Sequence, residues 1–194
     1  MTCLILASNS PRRRQLLGEA GISYRVIAPP MEEPELSDSG LEPSQQAEAL
    51  AYFKARSVWE AHRPDLPILG ADTVVTDGRR IFGKARHREE ARAILSALAG
   101  TRHQVITGVA ILDVDGARLI ASETTHVRMR AMSYREIEAY LDTNEWQGKA
   151  GAYGIQDHGD KFVQCVEGSF SNVVGLPMEL LKGLLAQLVM RHEP

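Results

Sequence analysis

Residues 2–21 constrain the fold more tightly than any other stretch. Thr2–Ala7 is a short apolar run, Ser8-Asn9-Ser10-Pro11 interrupts it with polar groups, and Arg12–Ala20 then carries helical spacing as far as Gly21. The pattern reads as strand, tight loop and helix. Ser10 suits the N-cap and Pro11 the first helical position, where its missing N–H has no partner to lose; Gly21 stops the helix.

The same alternation continues along the chain. A second strand is expected over Ser23–Ala28, and a helix from about Ser44 to His62 follows the Pro- and acid-rich segment Pro29–Pro43. Leu66–Thr76 is strand-like, and Asp77-Gly78 is a hairpin signal leading into Arg80–Phe82. Ala91, Ile94, Leu95 and Leu98 return to helical spacing, ended by Gly100. Gln104–Val114 and Ala117–Met129 read as strands joined at Asp115-Gly116. Ser133 and Glu136 form a capping box for a helix carrying Ile137, Tyr140 and Leu141. A glycine-rich loop, Gly148–Gly154, precedes a strand at Lys161–Val166. Leu180, Leu181, Leu184, Leu185 and Leu188 stripe a last helix that begins near Pro177. The class is α/β, a mixed sheet sandwiched by helices.

At 194 residues and 44% hydrophobic, the chain can bury one substantial core, so one domain over residues 1–194 is expected. A formal net charge of −3 supplies no global basic field, which argues against a nucleic-acid partner. No apolar run approaches the roughly 18 residues of a membrane span, and no signal-like start is present, so neither membrane insertion nor export is expected. Cys3 and Cys165 stand alone, without CxxC or finger spacing, which suits a reduced, cytoplasmic protein.

Three features carry chemistry. Arg12, Arg13 and Arg14 crowd the first turn of a helix, where cations oppose the dipole unless an anion reverses the sign. With Ser8, Ser10 and backbone N–H groups they form a phosphate cradle. Successive side chains diverge by about 100°, so at most two can face one anion; Arg12 and Arg13 are the expected pair. Lys54 falls on the apolar side of its helix, near Ala47, Leu50, Ala51 and Val58. It either snorkels, the expectation when taken alone, or points into a polar cleft. Asp72 sits inside the apolar strand Ile68–Val75, where an ionised carboxylate is expensive unless paired, hydrogen-bonded or on a metal. It is the best single catalytic candidate.

Other motifs are weaker. Glu32, Glu33 and Glu35 could offer oxygen ligands to a hard cation. Gly78–Ala85 resembles a P-loop, but Ala85 replaces the hydroxyl residue and the context is a hairpin; Lys84 remains a separate phosphate-binding candidate. The six histidines lack metal-site spacing. Gly148, Gly151 and Gly154 follow no strand directly, which favours a flexible binding loop over a dinucleotide fingerprint.

Taken together, Leu4–Arg13, Leu69–Val75, Gly83-Lys84, Lys149–Gln156 and Ser171–Pro177 resemble the Maf family of nucleoside triphosphate pyrophosphatases, in family order and over nearly the whole chain. The resemblance implies a mixed twisted sheet flanked by helices with a deep substrate cleft, of Maf/ITPase-like type. It implies a divalent metal, Mg²⁺ or Mn²⁺, and cleavage of a nucleoside triphosphate to the monophosphate and pyrophosphate. Asp72 would accept the proton, and Arg12, Thr73 and Gln156 would set base preference. Ser8, Arg13, Glu33, Lys54 and Lys84 fall at positions around substrate and metal. The branch that resembles 7-methyl-GTP pyrophosphatases has Trp, Gln and Glu at the three specificity positions; their absence points to the dTTP/UTP branch. Two departures are Ala85, where proline is usual, and Asp157, where glycine is usual. A non-catalytic, nucleotide-responsive regulator of cell division or septum formation is the alternative. The partner expected is the nucleotide, with a homodimer as the possible assembly.

Overall fold

The computed structural model describes residues 3–31, 34, 36, 39–156 and 158–192. β1 (Leu4–Leu6) runs through Ser8–Ser10 into α1 (Pro11–Glu19), where Ser10 accepts from the Arg13 amide and Pro11 takes the first helical position. β2 (Tyr24–Val26), α2 (Pro43–His62), β3 (Ile68–Thr76) and β4 (Ile81–Phe82) follow. Next come α3 (Arg88–Leu98), β5 (Arg102–Leu112), β6 (Arg118–Met129) and α4 (Tyr134–Leu141). The chain closes with β7 (Val163–Glu167), α5 (Phe170–Val174) and α6 (Met178–His192). The seven strands form one mixed sheet in the order β2-β1-β3-β5-β6-β7, with β4 paired to β3. β1 lies parallel to β2 and β3, and the remaining pairings are antiparallel.

Along most of the chain the element bounds shift by one or two residues from those expected, and two differences concern the C-terminal third. Lys161 and Phe162 belong to a 3₁₀ turn, Asp160–Phe162, that delivers the chain into β7. The helix α5, capped by Ser169, leaves no mark in the sequence pattern, because its five residues are too few for a helical period to show.

Helix α2 lies on β3 and β5 at main-chain distance. Ala47, Ala51 and Ala55 are fully buried there, facing Gly70 and Gly108. A Cβ on Gly70 would fall 2.1 Å from the Ala51 carbonyl oxygen, and one on Gly108 would fall 2.3 Å from that of Ala47. Glycine is required at both positions because backbone occupies the space a side chain would need. On the other face, α6 buries Leu181, Leu184 and Leu188 in a cluster with Leu6, Leu17 and Leu69. Burial of each leucine contributes roughly 1.5–3 kcal/mol. No helix among the described residues is long and apolar enough to cross a membrane.

One feature of the sheet positions the site. β1 pairs with β3 only at Ile5 with Ile68 and Leu6 with Leu69, and β4 rejoins that edge only at Val75. From Gly70 to Val74, no described strand runs along this side of β3. The sheet therefore has a gap in its interior through which both of its faces can be reached.

Candidate active site

A cleft of about 410 Å³ occupies that gap. Strand alternation sends Asp72 to the face covered by α2 and Thr73 to the face covered by α1 and α5, yet both line the cleft because the edge between them is open.

On the α2 face, Lys54 Nζ donates to Asp72 Oδ1 at 2.5 Å and reaches the Ala71 carbonyl oxygen at 3.4 Å. Each residue is 5% exposed. Lys54 therefore does not snorkel. The close seating of α2 on Gly70 brings it inward, and the pair answers how β3 can bury a carboxylate.

On the opposite face, Arg13 is 8% exposed and spreads its donors among the protein's own acceptors. Nε donates to the Gly175 carbonyl at 2.8 Å, Nη1 to Ser8 Oγ at 3.1 Å and Nη2 to Thr73 Oγ1 at 3.3 Å. Arg12 Nε donates to the Val174 carbonyl at 3.3 Å. Gly175 adopts φ 123°, outside the range of ordinary residues, in the turn that ends α5 and presents its carbonyl to Arg13. Arg12 and Arg13 both line the cleft, whereas Arg14 bonds to Asn9 and lies outside it.

The third wall is the Gly148–Gly154 loop. Gly148 and Gly151 have positive φ, and Ala152 shares that conformation at φ 58°. The structure ties this loop down: Lys84 and Ala150 form a β-bridge and the Gly151 amide donates to the Gly83 carbonyl at 3.2 Å. Behind it, His103 Nε2 and Tyr153 Oη are 2.8 Å apart, with the rings edge to face. Burial pulls the His103 imidazole down to about 4 and pushes the Tyr153 phenol up. The loop also brings in Lys149, 7% exposed, a cleft residue to which sequence spacing assigns no role. Its position beside three glycines was the available signal.

Ser8, Arg12, Arg13, Lys54, Asp72, Thr73, Lys84 and Gln156 are thus gathered around one cavity. Glu33 lies outside the described residues. Arg12, Arg13, Lys54, Lys84 and Lys149 bring five cationic side chains to the described lining, where Asp72 is the one carboxylate. A chain of net charge −3 thus concentrates positive charge at one opening, an arrangement that draws and holds a polyanion.

The Maf-like protein family model matches residues 3–188. This chain belongs to the Maf family. Similar Maf-type sequences include the dTTP/UTP pyrophosphatase of Agrobacterium fabrum, 41% identical over 191 residues and covering 94% of this chain and 90% of that protein. The dTTP/UTP pyrophosphatase of Yersinia pestis is 43% identical over 191 residues, with 96% and 95% covered. Among solved structures, that of the Staphylococcus aureus Ham1 protein is similar over 69% of this Maf chain and 74% of its own, at 15% identity and a TM-score of 0.45.

Proposed function

We propose that this chain hydrolyses nucleoside triphosphates, with dTTP and UTP preferred, to the monophosphate and pyrophosphate. The observation that carries the reading is the buried Lys54–Asp72 pair opening onto a cleft otherwise lined by cations. The relatives' shared activity supports the same reading.

Asp72 orients a water and accepts its proton as the water oxygen bonds to the α-phosphorus. The bond from that phosphorus to the bridging oxygen breaks, and pyrophosphate leaves with the charge of that bond. Lys54 holds Asp72 Oδ1 in place, which leaves Oδ2 for the water. Lys149 from the tied loop and Lys84 from the segment bridged to it are proposed to face the leaving group, and Arg13 braces the wall beside it. Arg12, Thr73 and Gln156 are proposed to contact the base.

The donor set fits a magnesium or manganese ion of the usual hydrated kind, which takes one or two carboxylates together with phosphate oxygens. Asp72 has Oδ1 on Lys54 and is kept for the proton of the water, so Glu33 is the residue proposed to hold the ion. A bound ion would supply charge neutralisation on the triphosphate.

Pyrophosphate release by the purified chain, assayed with Mg²⁺ and Mn²⁺ against dTTP, UTP, CTP, GTP and 7-methyl-GTP, tests the proposal. Release from dTTP and UTP above the others is expected. Silence with every nucleotide would leave only a binding or regulatory role, and a preference for 7-methyl-GTP would remove the pyrimidine assignment.

A further inference from the structure

We infer that Thr107, a residue outside the cleft, decides what Thr73 can recognise inside it, by fixing the direction of a hydrogen-bond chain. The inference rests on the nucleotide-hydrolase reading above. Thr73 and Thr107 are register partners on β3 and β5. Leu69 and Pro67 turn their carbonyls toward β1, so the odd-numbered residues of β3 form the non-hydrogen-bonded pairs with β5, whose side chains approach most closely. The two hydroxyl oxygens are 2.9 Å apart. Thr107, 0% exposed, also lies 3.2 Å from the main-chain oxygen of Asn172. Asn172 is immobilised in turn, its side-chain amide donating to the Val105 carbonyl and to Thr125 Oγ1 at 2.9 Å each.

A threonine hydroxyl has one proton and two lone pairs. A carbonyl oxygen only accepts, so the contact with Asn172 takes the Thr107 proton. Were that proton turned to Thr73 instead, two buried oxygens 3.2 Å apart would face each other with no hydrogen between them. The bond between the threonines must then use the proton of Thr73. Arg13 Nη2 donates to the same Thr73 oxygen. One lone pair is all that Thr73 has left, so it offers a ligand an acceptor and no donor. The edge of uracil or thymine carries a single N–H donor, at N3, between two carbonyl acceptors. Thr73 can meet such a base only there. Cytosine held in the same pose presents a lone pair at N3, which an acceptor repels, and its own donor, the N4 amino group, stands one position along the edge, where uracil has a carbonyl.

Thr107 is therefore a positioning residue for base discrimination. The test compares kcat/KM for UTP and CTP in wild type, Thr107→Val and Thr107→Ser, with Tm measured for each. Valine fills the space but releases the Thr73 proton, and the UTP-to-CTP ratio should fall about tenfold, roughly one hydrogen bond's worth of discrimination. Serine restores the chain and should hold the ratio within about twofold of wild type. The loss in the valine variant should appear mainly in KM for UTP, because the contact is to the base and not to the reacting phosphorus. An unchanged ratio in a folded valine variant would overturn the inference, as would valine and serine behaving alike. Should the valine variant not fold, wild type alone remains decisive through N3-methyl-UTP: turnover equal to that of UTP refutes an N3–H contact. Absence of pyrophosphate from every nucleotide in wild type would instead overturn the underlying activity.

Discussion

Asp72 and Lys54 illustrate how much a single residue's role depends on its partner. Asp72→Asn keeps size and hydrogen bonding but removes the proton acceptor, and turnover should fall on the order of 10²–10⁴-fold. The same change strands the Lys54 ammonium at 5% exposure, and a broken buried pair costs about 3–5 kcal/mol. The single variant should therefore be both inactive and less stable. Asp72→Asn with Lys54→Met should recover stability without recovering turnover, measured by urea unfolding alongside pyrophosphate release. More than about a tenth of wild-type turnover in the single variant would remove Asp72 from the base role. His103 gives a second prediction. Its ring titrates at about 4 when folded against 6.5 unperturbed, so the unfolded chain binds more protons between those values. The stability this neutral histidine contributes is complete above 6.5 and is lost as pH falls toward 4. Glu136 and Glu138, held down to about 2 by hydrogen bonds led by Arg130 and by Arg92, lose their share only below the ordinary carboxylate value of 4.5. A Tm profile of wild type and His103→Gln should diverge between 6.5 and 4.5, with the variant flatter; parallel profiles would count against a neutral buried ring.

Among the elements, α2 matters through where its main chain rests. Gly70→Ala would push a methyl group into the Ala51 carbonyl, and the helix must retreat, carrying Lys54 with it. Overpacking of this kind costs about 1–3 kcal/mol, and kcat/KM should drop further than stability alone explains. Wild-type activity in Gly70→Ala would show that the helix position does not govern the pair. The sequence showed the elements themselves clearly, because each rests on local chemistry: the Ser10-Pro11 cap, the Ser133–Glu136 capping box and the Asp77-Gly78 turn all stand where they were read. Residue spacing left Lys54 open between snorkelling and a polar cleft, and only the family resemblance set it at the substrate, since the pairing with Asp72 spans two elements and depends on Gly70. The sequence could not show Arg13 as a brace. Its partner carbonyl at Gly175 lies far along the chain, just past the end of a helix too short to announce itself. The acidic residues proposed for a metal had no local signature beyond charge, and Glu33 remains outside the described residues.

At the scale of the whole molecule, a single sheet runs from β2 to β7 with its opening in the interior and not at a rim. Because Leu69 gives its carbonyl to Ala7 on the β1 side, ladder alternation turns the main-chain groups of Gly70, Asp72 and Val74 toward β5 and those of Ala71 and Thr73 toward the cleft. Deuterium exchange along β3 should therefore alternate in the free protein. The amides of Gly70, Asp72 and Val74 should wait for global opening, while those of Ala71 and Thr73 exchange far sooner. Saturating pyrophosphate or nucleoside monophosphate should slow the second set and leave the first unchanged. Uniformly slow exchange in the free protein would show the gap to be closed. One strand in the middle of the sheet thus keeps two clocks, one set by unfolding and the other by occupancy of the cleft.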